Sequence, residues 1–195
     1  QGVCSIYVDK DAEVTKAVAI LCNAKCQRPG VCNAVENLFI HRSAVDMLLP
    51  VIAKRLVAEK VELRVDAALL PTFKDWGIPC KEATDQDFFT EFLALVIAIK
   101  PVDSVSEAVR MINHYGSGHS DAIVTENRET AETFLRGVDS ATVYWNASTR
   151  FTDGFEFGMG AEIGISTDRL HARGPMGLRE LCSYKYIIYG KGEVR

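Results

Sequence analysis

The sequence has little excess charge of either sign and no long hydrophobic run. Its 195 residues include 22 Lys and Arg and 26 Asp and Glu, which gives a formal net charge of −4. A slightly acidic chain lacks the basic face that non-specific nucleic-acid binding requires. No apolar run approaches the roughly 20 residues of a membrane-spanning helix. We therefore expect no nucleic-acid partner and no membrane span.

The sequence also lacks the marks of a secretory signal and of a cysteine-based metal site. Its first residues contain no basic segment, no long apolar core and no initiator Met, which indicates a processed chain or a fragment. None of the six cysteines belongs to a Cys-x2-Cys pair, and the spacing of residues 22, 26 and 32 matches no zinc or iron–sulfur pattern. The sequence predicts reduced thiols, a cytoplasmic location and no metal.

Apolar residues alternate along the chain between strand-length runs and segments with helical spacing. The spacing predicts strands at 5–8, 38–41, 61–65, 92–99, 122–125 and 141–146, and helices at 12–26, 45–60, 67–73, 104–115 and 128–138. Such repetition is typical of an α/β fold with a mainly parallel sheet flanked by helices. We predict one domain over 1–165.

The remaining segment, 166–195, is predicted to carry a short helix around 177–182 and a last strand at 187–189. A terminal strand outside its own core presents unpaired backbone groups, which favours pairing with another subunit. We therefore expect an oligomerisation strand and a homo-oligomer.

Cys32 is the candidate nucleophile. It follows the turn residues Arg28, Pro29 and Gly30. A tight turn presents a thiol beside backbone N–H groups, each of which stabilises an oxyanion by about 3 kcal/mol. The same N–H groups and Arg28 are predicted to lower the thiol pKa. A structural cysteine at a helix–strand junction is the alternative, and no histidine has the context of a partner base.

A polar loop with the sequence NASTRFTDG occupies residues 146–154. It follows a predicted strand, which places it at the carboxyl edge of the sheet, where ligands of α/β proteins usually bind. An ordinary polar loop is the alternative. The side chains suited to a carboxylate or a phosphate are those of Asn146, Ser148, Thr149 and, with its bidentate fork, Arg150.

Six segments together carry a family resemblance. They are NAKCQRPGVCN (23–33), HYGSGHSDAI (114–123), VDS (138–140), NASTRFTDG (146–154), FGMGAEIGIST (157–167) and HARGPMGL (171–178). On these segments the sequence resembles the gamma-glutamyl phosphate reductases (glutamate-5-semialdehyde dehydrogenases) of the aldehyde dehydrogenase superfamily. One departure is Met111, where the family pattern leads us to expect His.

The resemblance implies an aldehyde dehydrogenase-like catalytic domain that reduces L-glutamyl 5-phosphate to glutamate 5-semialdehyde with NADPH and releases phosphate, the second step of proline synthesis from glutamate. Cys32 matches the family nucleophile that forms a thioester. Looser similarity to the superfamily implies that Glu91 contacts the nicotinamide ribose and that Phe157 lies near the nicotinamide. The resemblance also implies that Arg150 binds the substrate α-carboxylate, with Arg28, Asn146, Ser148 and Thr149 as further substrate-binding residues.

The family has a dinucleotide-binding Rossmann domain before this region, and no glycine-rich phosphate loop follows the first predicted strand here. We expect this chain to be the carboxyl-terminal catalytic portion, which alone does not hold NADPH tightly. Two other functions stay open: a non-catalytic, dimerising portion of an aldehyde dehydrogenase-like protein, and a thiol hydrolase of the same fold.

Overall fold

A seven-stranded, all-parallel sheet forms the centre of the computed structural model, which describes all 195 residues. The strands are β1 (Cys4–Val8), β2 (Val35–His41), β3 (Glu62–Val65), β4 (Lys81–Glu82), β5 (Val96–Val102), β6 (Ser120–Val124) and β7 (Thr142–Trp145). Their order in the sheet is β4-β3-β5-β2-β1-β6-β7. The predicted parallel α/β fold is confirmed.

Helices cover both faces of this sheet. They are α1 (Val14–Cys26), α2 (Val45–Ala58), α3 (Leu70–Asp75), α4 (Asp85–Phe88), α5 (Val105–Tyr115) and α6 (Arg128–Gly137), with short 3-10 turns at Arg42–Ala44, Ala67–Leu69 and Thr149–Phe151. Residues of α1, α2 and α3 pack into one apolar cluster, and residues of α4, α5 and α6 pack into a second one. The central strands β1, β2 and β5 contribute to both clusters, which explains why most of their residues are apolar.

Side-chain caps fix where the helices begin. The Ser104 hydroxyl accepts a hydrogen bond from the Glu107 backbone N–H, and the Asn127 side chain accepts from the N–H groups of Glu129 and Thr130. Each such cap stabilises its helix by about 1 kcal/mol. The predicted start of α6 after Asn127 is confirmed.

The strand predicted at 92–99 lies further along the chain than expected. Leu93 adopts a left-handed φ of 53°, so the backbone bends there and β5 begins at Val96. β5 then extends through Pro101. Ile99 accepts a hydrogen bond from the Asp66 N–H on the β3 side, and alternation places the Pro101 nitrogen on that same side, beyond the last residue pair of β3. The missing N–H of Pro101 therefore removes no bond of the sheet.

The chain after β7 differs most from the prediction. A small antiparallel hairpin, β8 (Gly164–Ser166) and β9 (Gly174–Met176), was not predicted. The helix expected around 177–182 is a turn, in which the Glu180 side chain accepts a hydrogen bond from the Gly177 N–H. Residues 187–189 form no strand in the single chain, because their backbone groups have no neighbouring strand.

None of the helices has both the length and the apolar composition that crossing a bilayer requires.

Candidate active site

The Cys32 turn lies at the amino edge of the sheet, between the end of α1 and the start of β2. The Cys32 side chain is half-buried, and its backbone carbonyl accepts a hydrogen bond of 3.2 Å from the Cys4 thiol at the start of β1. Gly2 packs against the same carbonyl so closely that a Cβ there would lie 1.7 Å from the Cys32 oxygen. The beginning of β1 therefore supports the turn directly.

The polar loop after β7 crosses from one edge of the sheet to the other. At its start the Asn146 side chain accepts from the Thr125 N–H (3.0 Å) and donates to the Thr125 carbonyl (2.9 Å), beyond the carboxyl end of β6. At its end the Thr152 hydroxyl lies 2.7 Å from the hydroxyl of Ser120, the first residue of β6. The predicted position at the carboxyl edge is correct for Asn146 only, because the loop returns along the whole length of β6.

The loop and the Cys32 turn meet at Asn33. The Thr149 hydroxyl donates to the Asn33 carbonyl at 2.7 Å, and the Asn33 amide donates to the Thr152 carbonyl at 2.9 Å. The Arg150 guanidinium donates through Nη1 to the Asn33 side-chain oxygen and through Nε to Gln27 Oε1 at 3.0 Å. Two segments more than 100 residues apart in sequence are thereby joined beside Cys32. Sequence reasoning missed Asn33, although it directly follows the candidate nucleophile.

The five residues predicted to bind substrate occupy different environments. Only Arg150 lines a polar cleft of about 280 Å³, whose other walls are Asn23, Gln27, Phe151, Asp153 and Glu156. Ser148 and Thr149 are buried in the loop, where the Ser148 hydroxyl accepts from the Arg150 N–H at 3.3 Å. Asn146 holds the Thr125 backbone, and Arg28 is exposed and makes no ion pair. Burial and internal hydrogen bonds thus give Asn146, Ser148 and Thr149 a shaping role in the loop.

The Cys32 thiol is less acidic than the turn geometry predicted. Burial raises its pKa, the negative charge of Glu162 raises it further, and the backbone N–H of Cys32 itself lowers it. Arg28 does not contribute, so the prediction that Arg28 lowers the thiol pKa is wrong. Because a free cysteine already has a pKa above 8, the Cys32 thiol holds its proton at neutral pH.

The charges of two carboxylates, from two different segments, raise the pKa of the Cys32 thiol. Glu91, just before β5, accepts a hydrogen bond of 2.7 Å from the N–H of Gly2, and its charge reaches Cys32. Glu162 accepts from the Gly154 N–H at 2.8 Å, which ties the two ends of the segment 154–162 together, and its charge also reaches Cys32. That segment carries Phe157, whose ring is 41% exposed. Sequence reasoning did not single out Glu162, which lies within the segment 157–167 that carried the family resemblance.

The histidine nearest to this edge, His119, contacts Cys4. Its Nδ1 atom lies 2.8 Å from the Ser120 hydroxyl and 3.7 Å from the Cys4 sulfur, while its Nε2 atom has no partner. Burial lowers the pKa of His119 to about 4, so the ring is neutral at physiological pH. No group of three or more His, Cys, Asp or Glu side chains is arranged to hold a metal ion.

Comparisons with known proteins agree with this fold. The model of the aldehyde dehydrogenase family matches residues 83–187. The chain is 56% identical over 196 residues to a gamma-glutamyl phosphate reductase of Opitutus terrae and 57% identical over 194 residues to that of Enterococcus faecalis, covering 100% of this chain and 46% of each relative. The chain therefore spans about half the length of the curated relatives it matches.

Solved structures show the same likeness. The crystal structure of gamma-glutamyl phosphate reductase from Thermotoga maritima superposes with a TM-score of 0.92 at 49% identity, over 100% of this chain and 46% of that one. The Saccharomyces cerevisiae enzyme of the same name superposes with a TM-score of 0.63 at 34% identity, over 81% of this chain and 39% of that one. By sequence and by fold, the chain belongs to the aldehyde dehydrogenase family.

Proposed function

We propose that this chain is the catalytic portion of a cytoplasmic enzyme of proline biosynthesis, which reduces L-glutamyl 5-phosphate to L-glutamate 5-semialdehyde with NADPH and releases phosphate. The observation that carries the proposal is the junction at Asn33, which joins the Cys32 turn to the Arg150 loop. The names of the close relatives support the same reaction. The six unpaired cysteines fit a reducing compartment.

In the first half of the reaction Cys32 is the nucleophile. Its thiol loses a proton to water, because the thiolate is the reactive form. The sulfur then forms a bond to the acyl carbon of the substrate, and phosphate leaves with the electrons of the broken C–O bond. The backbone N–H of Cys32 donates to the oxygen that becomes negative, a contribution of about 3 kcal/mol per donor. The product on the protein is a Cys32 thioester.

In the second half this chain contributes part of a nicotinamide site. The Glu91 carboxylate accepts one hydrogen bond through Oε1, which leaves Oε2 for a ribose hydroxyl, and the exposed Phe157 ring offers an apolar face. These groups fit the nicotinamide half of a dinucleotide. When bound, NADPH supplies the hydride that brings the acyl group to the aldehyde level. Cys32 then leaves as a thiolate and the semialdehyde is released.

Arg150 is the proposed partner of the substrate α-carboxylate. Its Nε and Nη1 groups are bound by Gln27 and Asn33, so its Nη2 group is left for a ligand in the polar cleft. Asn146, Ser148 and Thr149 hold the loop in the shape that presents Arg150. Arg28, on the exposed surface of the turn, is a further proposed substrate-binding residue.

We also propose that residues 1–165 form the catalytic domain and that residues 166–195 join two copies of the protein into a homo-oligomer. The support is the exposure of large apolar side chains beyond the hairpin β8–β9, which are Tyr184, Tyr186, Ile187, Ile188 and Tyr189. Exposed apolar patches of this kind are typical of interaction surfaces.

Replacement of the sulfur tests the proposed reaction. In the full-length polypeptide that contains this chain, Cys32→Ser is expected to reduce NADPH formation from semialdehyde, phosphate and NADP⁺ by roughly a thousandfold or more. Cys182→Ser, at an exposed cysteine in the turn after β9, is the matched control and is expected to keep full activity. Full activity of Cys32→Ser would overturn the proposed mechanism.

A further inference from the structure

A fully buried ion pair lies beneath the Cys32 turn. Lys25 Nζ is 2.6 Å from Glu36 Oε2, and both side chains are 0% exposed. Lys25 belongs to the last turn of α1, and Glu36 is the second residue of β2. The pair therefore connects the two elements between which the turn runs. The sequence pattern singled out neither residue.

The same lysine also holds a third segment. Lys25 Nζ donates to the Ala94 carbonyl at 3.2 Å. Ala94 follows Leu93, whose φ of 53° is a left-handed conformation that a non-glycine residue seldom adopts. The Leu93 carbonyl lies 3.8 Å from the position of a Cβ on Gly30, so this strained backbone packs on the Cys32 turn. Strained residues persist where their surroundings over-determine them, and here Lys25 provides that restraint. Glu91, whose carboxylate accepts a hydrogen bond from the Gly2 N–H, lies three residues before Ala94 on the same connection to β5.

The chemistry of the pair argues against a purely stabilising role. Burial raises the pKa of Glu36 to about 7, an effect that Lys25 and the Leu93 backbone N–H oppose. Burial likewise lowers the pKa of Lys25, and Glu36 opposes it. Both charged forms are thus disfavoured by their surroundings. Apolar residues of similar volume often replace such buried pairs without loss of stability, so stability alone is a weak reason for this pair.

We propose that Lys25 and Glu36 are positioning residues, which clamp the Cys32 turn to the segment 91–95 and so fix the thiol relative to the carboxylate of Glu91. The inference rests on the proposed function, since that function assigns Cys32 to the acyl group and Glu91 to the nicotinamide ribose. Neither Lys25 nor Glu36 touches the reacting atoms, because neither is exposed.

The test uses the double variant Lys25→Met/Glu36→Leu in the full-length polypeptide. Alkylation by iodoacetamide is followed at each cysteine by mass spectrometry as a function of pH, with the exposed Cys182 as reference within the same molecule. The matched control is Glu132→Gln/Arg136→Met, which removes an exposed ion pair on α6.

The double variant is expected to unfold at or above the wild-type temperature. Because a loosened turn exposes its thiol, the pH midpoint of Cys32 alkylation is expected to fall by about one unit, towards that of an ordinary thiol. The Cys182 midpoint is expected to stay unchanged. Turnover is expected to fall by roughly 10- to 100-fold, as for misplacements of about 1 Å, with a smaller change in KM. The control variant is expected to match wild type in every measurement.

A stable double variant with wild-type Cys32 alkylation and wild-type turnover would overturn the clamp. If the double variant does not fold, Glu36→Asp tests the clamp instead, because it keeps both charges but moves the carboxylate away from Lys25 by the length of one methylene. It is expected to shift Cys32 alkylation in the same direction, and wild-type behaviour of this variant also overturns the clamp. The two proposals can be distinguished by separate measurements. Full turnover by Cys32→Ser would overturn the proposed reaction, whereas a shift of Cys32 alkylation in the double variant would still support the clamp.

Discussion

Replacing Asn33 by Ala weakens the junction between the Cys32 turn and the Arg150 loop, because only the Thr149 hydrogen bond to the backbone carbonyl of residue 33 remains. The Asn33 side chain makes two hydrogen bonds, one donated to the Thr152 carbonyl and one accepted from Arg150. Loss of a neutral hydrogen bond costs about 1 kcal/mol and loss of one to a charged group about 1.5–3 kcal/mol. We therefore expect Asn33→Ala to lower the free energy of unfolding by about 2–4 kcal/mol, which a domain of ordinary stability survives.

Urea denaturation measures the stability loss, and steady-state kinetics measure its effect on substrate binding. KM for the semialdehyde is expected to rise roughly tenfold, because Arg150 loses one of the two groups that orient it, and a factor of ten corresponds to about 1.4 kcal/mol. The control is Asn113→Ala. Asn113 also makes two side-chain hydrogen bonds, to the backbone of Gly137 and Asp139, but it is exposed and does not line the cleft.

Asn113→Ala is expected to lower the free energy of unfolding by only about 1 kcal/mol, because both of its hydrogen bonds are exposed to water, and to leave KM unchanged. If Asn33→Ala were no less stable than Asn113→Ala and kept the wild-type KM, the assignment of Asn33 as the junction of the site would be wrong.

Three further changes have definite expected outcomes. Gly2→Ala places a Cβ 1.7 Å from the Cys32 oxygen and is expected to lower turnover by roughly 100-fold. Gly164→Ala, whose Cβ meets open space, is the control and is expected to behave as wild type, so equal turnover in the two variants contradicts the prediction. Burial raises the pKa of Asp121 to about 7, so the protonated carboxyl contributes fully to the free energy of unfolding below pH 4, and this contribution is lost as the pH rises to 7. The difference in urea midpoint between wild type and Asp121→Asn is expected to change over the same pH range, and a constant difference refutes the prediction. Ile188→Asp, in the exposed tail, is expected to reduce the molar mass measured by light scattering to that of one chain, and an unchanged mass argues against the tail as the interface.

Most of the fold follows from patterns within short stretches of sequence. β2 lies in the middle of the sheet and buries nearly every residue, so its apolar run identifies it, and the caps Ser104 and Asn127 mark the starts of two helices. The shift of β5 shows the limit of such patterns. Phe92 is as apolar as a strand residue, yet its ring packs under the guanidinium of Arg64 at 5.0 Å, outside the sheet. Local hydrophobicity does not distinguish an apolar residue within a strand from one that packs outside the sheet.

Sequence patterns indicated the candidate site only where a short segment carries its residues. Cys32 and Arg150 lie in recognisable segments, and the structure joins those segments through Asn33. The joining contacts connect residues 116 to 119 positions apart, and they involve polar side chains without periodicity. The Lys25–Glu36 clamp was missed for a related reason, since a lysine in a helix and a glutamate near the start of a strand are normally solvated.

The position of the thiol at the amino edge of the sheet determines the electric field it experiences. In this parallel fold α1 and α5 run opposite to the strands, so their carboxyl-terminal ends face that edge, and α1 ends at Cys26 just before the turn. The carboxyl-terminal end of a helix carries about half a negative charge. No positive helix end therefore faces the turn from α1 to favour a thiolate, which agrees with the raised pKa of the Cys32 thiol. A thiol that keeps its proton at neutral pH reacts slowly with oxidants, because the thiolate is the reactive form.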